Sequence, residues 1–182
     1  MRLSLSFLLL LCLGVADASP LVEKLRSGSR TALEHEGMLL GAAGLQEELS
    51  SSDRPTLLAA LGAAQGAEDS WALLGILARL AAHPDRSIAI KAAQVGASIA
   101  HGVDGFLIDE QEIADHTLSE WHRLWRHVAG NKKRWVDIRV YALDSAAQLH
   151  QTISNAKAPP MNWPEVLSDD DEQMRSAAIL LA

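Results

Sequence analysis

Residues 70–100, SWALLGILARLAAHPDRSIAIKAAQVGASIA, decide the fold of this chain. Apolar side chains recur at steps of three and four on both sides of an interruption at residues 83–86, His-Pro-Asp-Arg. Such spacing is typical of one apolar face of an α-helix, and the proline marks a break between helices. The stretch therefore predicts two antiparallel helices joined by a short turn. The first helix carries Trp71, Leu74, Leu77, Leu80 and Ala81; the second carries Ile88, Ala92, Val95 and Ile99 beside a stripe of small residues, Ala89, Ala93, Gly96 and Ala100.

The same hairpin pattern returns fifty residues later in the chain. Residues 71, 74, 88, 92, 96 and 99 correspond to Trp121, Leu124, Ile138, Ala142, Ala146 and Leu149. A repeated apolar pattern at this scale is typical of stacked helical units. We therefore predict an all-α fold built from antiparallel helical hairpins.

Weaker signals extend this organisation to the rest of the chain. Further helices are predicted within residues 20–49, 56–65, 117–128, 136–153, 164–167 and 172–182. Asp53 is a predicted helix cap, and Thr117 with Glu120 forms a predicted capping box. Gly37, Gly41 and Gly44 are expected to let a neighbouring helix approach closely.

The N-terminus has the composition of a secretory signal. A basic start at Arg2 precedes an apolar run at residues 3–15, and Ala16 and Ala18 occupy the positions that a signal peptidase recognises. A membrane anchor is the alternative, but the run is too short to cross a bilayer comfortably. Lipidation at Cys12 is a minor alternative, because a leucine precedes it. We expect residues 1–18 to be removed and residues 19–182 to form one secreted or periplasmic domain of bacterial type, with no stable membrane span.

Composition narrows the range of partners. The chain has a formal net charge of −7 and a single cysteine, Cys12, which lies inside the predicted signal. The mature domain is therefore expected to have no disulfide and to depend on its core alone. An acidic chain is a poor general binder of nucleic acid, which requires cations that neutralise phosphates.

Residues from roughly 30 to 182 resemble HEAT or armadillo-type helical repeats. The residues that carry the resemblance are Ile138, Arg139 and Ala142, and then Asp171, Met174, Arg175, Ala177 and Ala178. The resemblance implies a short curved α-solenoid. It also implies a concave face that binds proteins or peptides, and only rarely a reaction.

No motif in the chain specifies catalysis. Asp104, Asp109, Glu110, Glu112 and Asp115 form an acidic connection whose spacing fits no calcium-binding loop. His116, Glu120 and His122 do not form the zinc motif His-Glu-x-x-His, and no serine lies in a nucleophile turn. We therefore expect no catalytic residue, no cofactor and no metal. The alternative is a ligand or chromophore carrier, or a lyase-like enzyme similar to bilin lyases, with a pocket formed by His116, His122 and Trp125.

The tryptophans give the most specific indication of a binding surface. Trp71 and Trp121 occupy equivalent repeat positions and are expected in the core, whereas Trp163 is expected to fix the linker to the body. Trp125 and Trp135 correspond to Gly75 and Asp85, so repeat packing does not require them. The candidate surface for a protein or peptide partner is Trp125, Arg126, Lys132, Lys133, Arg134 and Trp135, and an acidic partner complements its charge. The alternative is that a larger second hairpin needs more apolar volume in its core.

Overall fold

The computed structural model describes residues 20–103, 115–152 and 161–182. This part of the chain forms nine α-helices, two short 3₁₀ segments and no β-strand, which confirms the all-helical prediction. The helices are α1 (Pro20–Arg26), α2 (Arg30–Glu48), α3 (Arg54–Ala63), α4 (Leu74–Ala81), α5 (Arg86–Gly102), α6 (Asp115–Gly130), α7 (Val136–Thr152), α8 (Trp163–Leu167) and α9 (Glu172–Leu181). The 3₁₀ segments are Ala64–Gly66 and Ser70–Leu73.

Short polar side chains fix the starts of several helices. The Asp53 carboxylate accepts the backbone N–H of Thr56 at the start of α3, so the predicted cap is confirmed. The Asp85 carboxylate accepts two backbone N–H groups at the start of α5, and thereby satisfies donors that lack an intrahelical partner. The prediction for Thr117 is wrong, because α6 begins two residues earlier, at Asp115.

Helices that follow one another in the chain pack in pairs: α2 with α3, α4 with α5, α6 with α7, and α8 with α9. The second helices of these pairs also contact one another in chain order, so that α3 meets α5, α5 meets α7, and α7 meets α9. Helix α4 lies against α6. One continuous apolar core runs through these contacts, with Leu45, Leu61, Leu74, Ile88 and Ile138 fully buried.

The glycines of α2 have two different roles. A Cβ on Gly37 would lie only 2.0 Å from the carbonyl oxygen of Ala63, so this glycine permits close helix packing as expected. The same expectation is wrong for Gly41, which has φ 64° and no atom within 4 Å of a built Cβ. Its backbone kinks the helix in a conformation that only glycine adopts easily.

The last helix is only partly covered. Helix α9 packs through Met174 and Ala178, while Ile179 and Leu180 are 70% and 86% exposed. No helix in the described ranges is long and apolar enough to cross a membrane. The predicted signal at residues 1–18 and most of the acidic connection, residues 104–114, lie outside the described residues.

Candidate functional site

Trp125 lies in the core. Its side chain is 0% exposed, and a Cβ on Gly96 of α5 would lie 2.4 Å from two of its ring carbons. The glycine therefore provides the space that the indole ring occupies. The expectation that Trp125 belongs to an exposed binding surface is wrong, because the preceding hairpin receives the ring.

Trp121 packs in the same way one turn earlier in α6. It is 8% exposed, and a Cβ on Gly75 would lie 2.9 Å from its indole nitrogen. The ring centroid of Trp71 lies 6.2 Å away, with the two planes tilted by 46°. The predicted core position of Trp121 is confirmed. Trp71 and Trp163 are partly buried and pack against the core.

The four remaining candidates at the turn between α6 and α7 do lie together. We call Lys132, Lys133, Arg134 and Trp135 the turn surface. Trp135 is 40% exposed, which makes it one of the few large apolar side chains that reach solvent. The guanidinium carbon of Arg86 lies 5.9 Å from the centroid of its ring, a cation–π contact with the preceding hairpin.

Hydrogen bonds connect the turn surface to its neighbours on both sides. Arg134 donates from Nη1 to the backbone carbonyl of His83 at 3.2 Å, so no carboxylate neutralises its charge in that contact. Lys132 donates from Nζ to the Asp170 carboxylate at 2.9 Å, and this hydrogen bond raises the pKa of Lys132. Lys133 forms no ion pair with any described residue. The turn surface therefore keeps a positive excess on an acidic protein.

A cleft of about 340 Å³ lies beside the turn surface, between the C-terminal half of α6 and α8. Arg123, Arg126 and His127 line it from α6, and Asn162 and Glu165 line it from the other side. Lys132 also borders the cleft, so the structure brings Arg126 close to one end of the turn surface. Within the described residues neither Arg123 nor Arg126 has a carboxylate partner.

A buried ion pair lies at the base of this cleft. Arg139 and Asp169 are 5% and 6% exposed, and the Arg139 guanidinium donates to both carboxylate oxygens of Asp169. Arg139 Nε also donates to the Ala129 carbonyl at 2.9 Å. The hydrogen bond from Arg139 is the main reason that the pKa of Asp169 falls below its ordinary value. Sequence analysis singled out Arg139 but missed its partner, 30 residues away.

A second buried polar group lies between α6 and α7, where the sequence indicated His122 as a pocket candidate but not its neighbours His150 and Met161. His122 is 0% exposed, and its ring centroid lies 5.4 Å from that of His150. His122 Nε2 lies 3.3 Å from the Met161 sulfur, while the Nδ1 atoms of both histidines are buried without a hydrogen-bond partner. Burial lowers the pKa of His122 to about 4, helped by the positive charge of Arg126. His122 is therefore a neutral imidazole near pH 7.

Comparison with known proteins identifies no family. A scan against protein-family models found no match, and neither the curated proteins nor the solved structures gave a significant match. Within the described residues, no group of three or more His, Cys, Asp or Glu side chains could hold a metal ion.

Proposed function

We propose that this chain is an exported, non-enzymatic helical-repeat scaffold that binds a protein or peptide partner. In this proposal the hairpins form a short HEAT-like α-solenoid. The successive contacts of α3, α5, α7 and α9 support that arrangement, because each unit of a repeat array contacts chiefly its neighbours.

The observation that carries the binding proposal is the exposed Trp135 beside Lys133 and Arg134, which have no carboxylate partner within the described residues. Its ring is 40% exposed, while Trp125 and Trp121 in the same hairpin are buried. Tryptophan and arginine are enriched among the residues that supply most of the binding energy in protein interfaces. An exposed indole beside Lys133 and Arg134 is a suitable anchor for a partner with acidic and apolar groups.

The cleft extends this surface. Arg126 and Arg123 lie on its wall, while Leu143, Met161 and Val166 supply apolar lining. Clefts that combine apolar walls with a few charged groups are suited to hold a segment of a ligand. In the proposed complex the partner covers Trp135 and extends an acidic segment toward Arg126.

The binding proposal is tested by capture of partners from the native envelope fraction. We expect Trp135→Ala and Arg134→Gln to lose most of the captured partner, with a melting temperature close to that of the unchanged protein. Arg79→Gln, at an exposed arginine of α4, is the matched control and is expected to capture normally.

Two results would contradict the proposal. If Trp135→Ala captures the partner as well as the control does, the binding face lies elsewhere. If Trp135→Ala unfolds the protein as severely as Trp121→Ala, the ring is a structural element rather than a contact.

The export part of the proposal rests on the N-terminal sequence alone. We expect mass spectrometry of the secreted or periplasmic protein to find a chain that begins at Ser19 or a near neighbour. Recovery of intact Met1 in the cytoplasm would contradict it.

The alternative, a ligand carrier or lyase-like enzyme, needs a pocket formed by His116, His122 and Trp125. His122 and Trp125 are both fully buried, and neither lines the cleft. The side chain of His116 lies outside the described residues. A chromophore that copurifies with the protein would favour this alternative over the scaffold.

A further inference from the structure

Two arginines in the cleft between α6 and α8 have no partner for their charge. Arg123 and Arg126 are one turn apart in α6, so they lie on the same side of that helix, and both line the cleft. Within the described residues neither guanidinium forms a hydrogen bond or an ion pair. Arg126 is half-buried, and a guanidinium that is partly withdrawn from water gains from an anion that accepts its N–H groups.

The charges around the cleft favour a ligand with a single negative charge. The other two cations of the lining, Lys132 and Arg139, are paired with Asp170 and Asp169. Glu165 is the carboxylate on the opposite wall, and it accepts a hydrogen bond from Asn162 rather than from a cation. With histidine counted as neutral, the unpaired groups are two guanidiniums and one carboxylate, so one positive charge remains. A monoanion neutralises that charge, whereas a dianion reverses it.

The floor of the cleft is apolar. Leu143, Met161, Val166 and Met174 line it, and all of them except Val166 are buried. The volume of about 340 Å³ lies at the small end of the range for ligand pockets, which is roughly 300 to 1,000 Å³. The cleft therefore has room for one apolar group together with the anion that the arginines require.

We propose that the cleft binds the C-terminal residue of the partner, with its free carboxylate on Arg126 and Arg123 and an apolar side chain on the floor. The proposal rests on the proposed function, because the turn surface holds the same partner. A guanidinium presents parallel N–H donors that match the two oxygens of a carboxylate. An internal Asp or Glu supplies a carboxylate without an apolar side chain on the same residue, so it satisfies only the wall of the cleft.

The test measures binding of labelled synthetic peptides to the purified full chain by fluorescence anisotropy. One short peptide ends in Leu with a free carboxylate, and the second ends in Leu with a carboxamide. The third also ends in a carboxamide but carries an Asp before the Leu. We expect the free acid to bind roughly tenfold more tightly than either amide, since a hydrogen-bonded charge contributes at least that much.

Variants in the cleft locate the contact. Arg126→Gln should weaken binding of the free acid roughly tenfold, and Arg126→Lys should recover only part of it, because a lysine lacks the paired donors. Arg123→Gln, at an exposed position, is a second change that the fold tolerates. Arg79→Gln, at an exposed arginine of α4 outside the cleft, is the matched control and should bind as the unchanged chain does. Thermal melting of each variant separates a lost contact from a lost fold.

The proposal is wrong if the free acid and its amide bind equally, or if no peptide binds at millimolar concentration. It is also wrong if Arg126→Gln binds the free acid as Arg79→Gln does, or if hexanoate, a small acid without a peptide backbone, binds as tightly as the peptide. Any of these results, combined with capture of the native partner that depends on Trp135, would remove the cleft from the binding site and leave the turn surface in place. Capture that is independent of Trp135 would contradict the proposed function instead.

Discussion

The two central hairpins, α4–α5 and α6–α7, share a repeat pattern but have different interiors. The first hairpin has glycines at the points of contact: the Trp121 ring of the second hairpin packs against Gly75, and the Trp125 ring packs against Gly96. The first is filled by aliphatic side chains such as Leu74, Leu77 and Ile88, and Ala89 lies at the position that corresponds to Arg139.

This difference shows that neighbouring repeats are complementary rather than equivalent. A side chain that the packing of its own hairpin does not need can fill a space in the preceding hairpin. Trp125 is the example, because its counterpart Gly75 suggests a dispensable ring while the structure places that ring on Gly96. Variants on both sides of these contacts test this complementarity through the free energy of unfolding.

Trp125→Ala is expected to have the largest effect. It removes a fully buried indole and leaves a cavity against Gly96, so we expect the free energy of unfolding to fall by about 5 kcal/mol. Chemical denaturation of the purified protein measures the change. A loss below about 1 kcal/mol would show that the hairpins do not depend on this contact.

Asp169→Asn tests the buried ion pair with Arg139, the residue that takes the place of Ala89 in the second hairpin. It leaves the Arg139 charge buried and uncompensated, so we expect a loss of about 4 kcal/mol. Asp170→Asn removes the neighbouring exposed pair with Lys132 and should have a much smaller effect on stability, because water and salt screen that pair. Equal losses would mean that burial of the pair is unimportant.

The same pair predicts a dependence of stability on pH. Because the pKa of Asp169 is lower in the folded than in the unfolded chain, its contribution is present above the unfolded value near 4. It is lost as the pH falls through the lower, folded value. Asp169→Asn should remove this part of the acid denaturation curve.

His122 is expected to make the protein sensitive to mild acid, whereas its counterpart Ala72 cannot titrate. Its folded pKa of about 4 lies below the ordinary value of 6.5, so the unfolded chain binds the proton first as the pH falls. Between pH 7 and pH 4 this should destabilise the fold by roughly 3 kcal/mol. Chemical denaturation should show that the free energy of unfolding changes less between pH 7 and pH 4 in His122→Leu than in the unchanged protein. His127→Asn, the control, should show the same change with pH as the unchanged protein.

Gly96→Ala tests the contact between Gly96 and the Trp125 ring by changing the glycine instead of the tryptophan. The added Cβ would lie 2.4 Å from the Trp125 ring, and displacing the ring should cost about 2 kcal/mol. Gly102→Ala is the control in the same helix, since a Cβ there has no atom within 4 Å. If the two variants melt at the same temperature, the space at Gly96 is not needed by the ring.

Trp135→Ala is expected to have the smallest effect on stability. The ring is 40% exposed and contacts Arg86 at the surface, so the loss should stay below about 1 kcal/mol. Thermal melting beside Trp125→Ala compares the two rings directly. A comparable loss would contradict the distinction between core and surface tryptophans.

Local signals in the sequence were sufficient to predict the helical pairs and some of the helix ends. The turn at residues 83–86, the cap at Asp53 and the buried position of Trp121 follow from spacing and capping within one segment. The cluster of Lys132, Lys133, Arg134 and Trp135 was also predictable, because these residues are adjacent in the chain.

Contacts between hairpins could not be predicted in the same way. The contacts between Gly96 and Trp125, Arg139 and Asp169, and His122 and Met161 each join residues that are 29 to 39 positions apart in the chain. Periodicity indicates which face of a helix is buried, but not which side chain of another hairpin meets it. The prediction for Thr117 failed because a helix end can lie at any of several neighbouring residues. The prediction for Gly41 failed because the spacing of the three glycines does not show which of them adopts a positive φ.

The exposed ion pairs along the turns make one edge of the molecule responsive to salt. Arg54 at the start of α3 binds Asp85 at the start of α5, and Arg86 at the start of α5 binds Asp137 in the first turn of α7, each at 2.7 Å. Dissolved ions screen both links at once, whereas the uncharged contact between Trp125 and Gly96 is not weakened by screening. A rise in ionic strength should therefore weaken the contacts between the starts of α3, α5 and α7 without weakening the contact between Gly96 and Trp125. We expect amide hydrogen exchange in high salt to become faster at the starts of α5 and α7 before it becomes faster around Gly96.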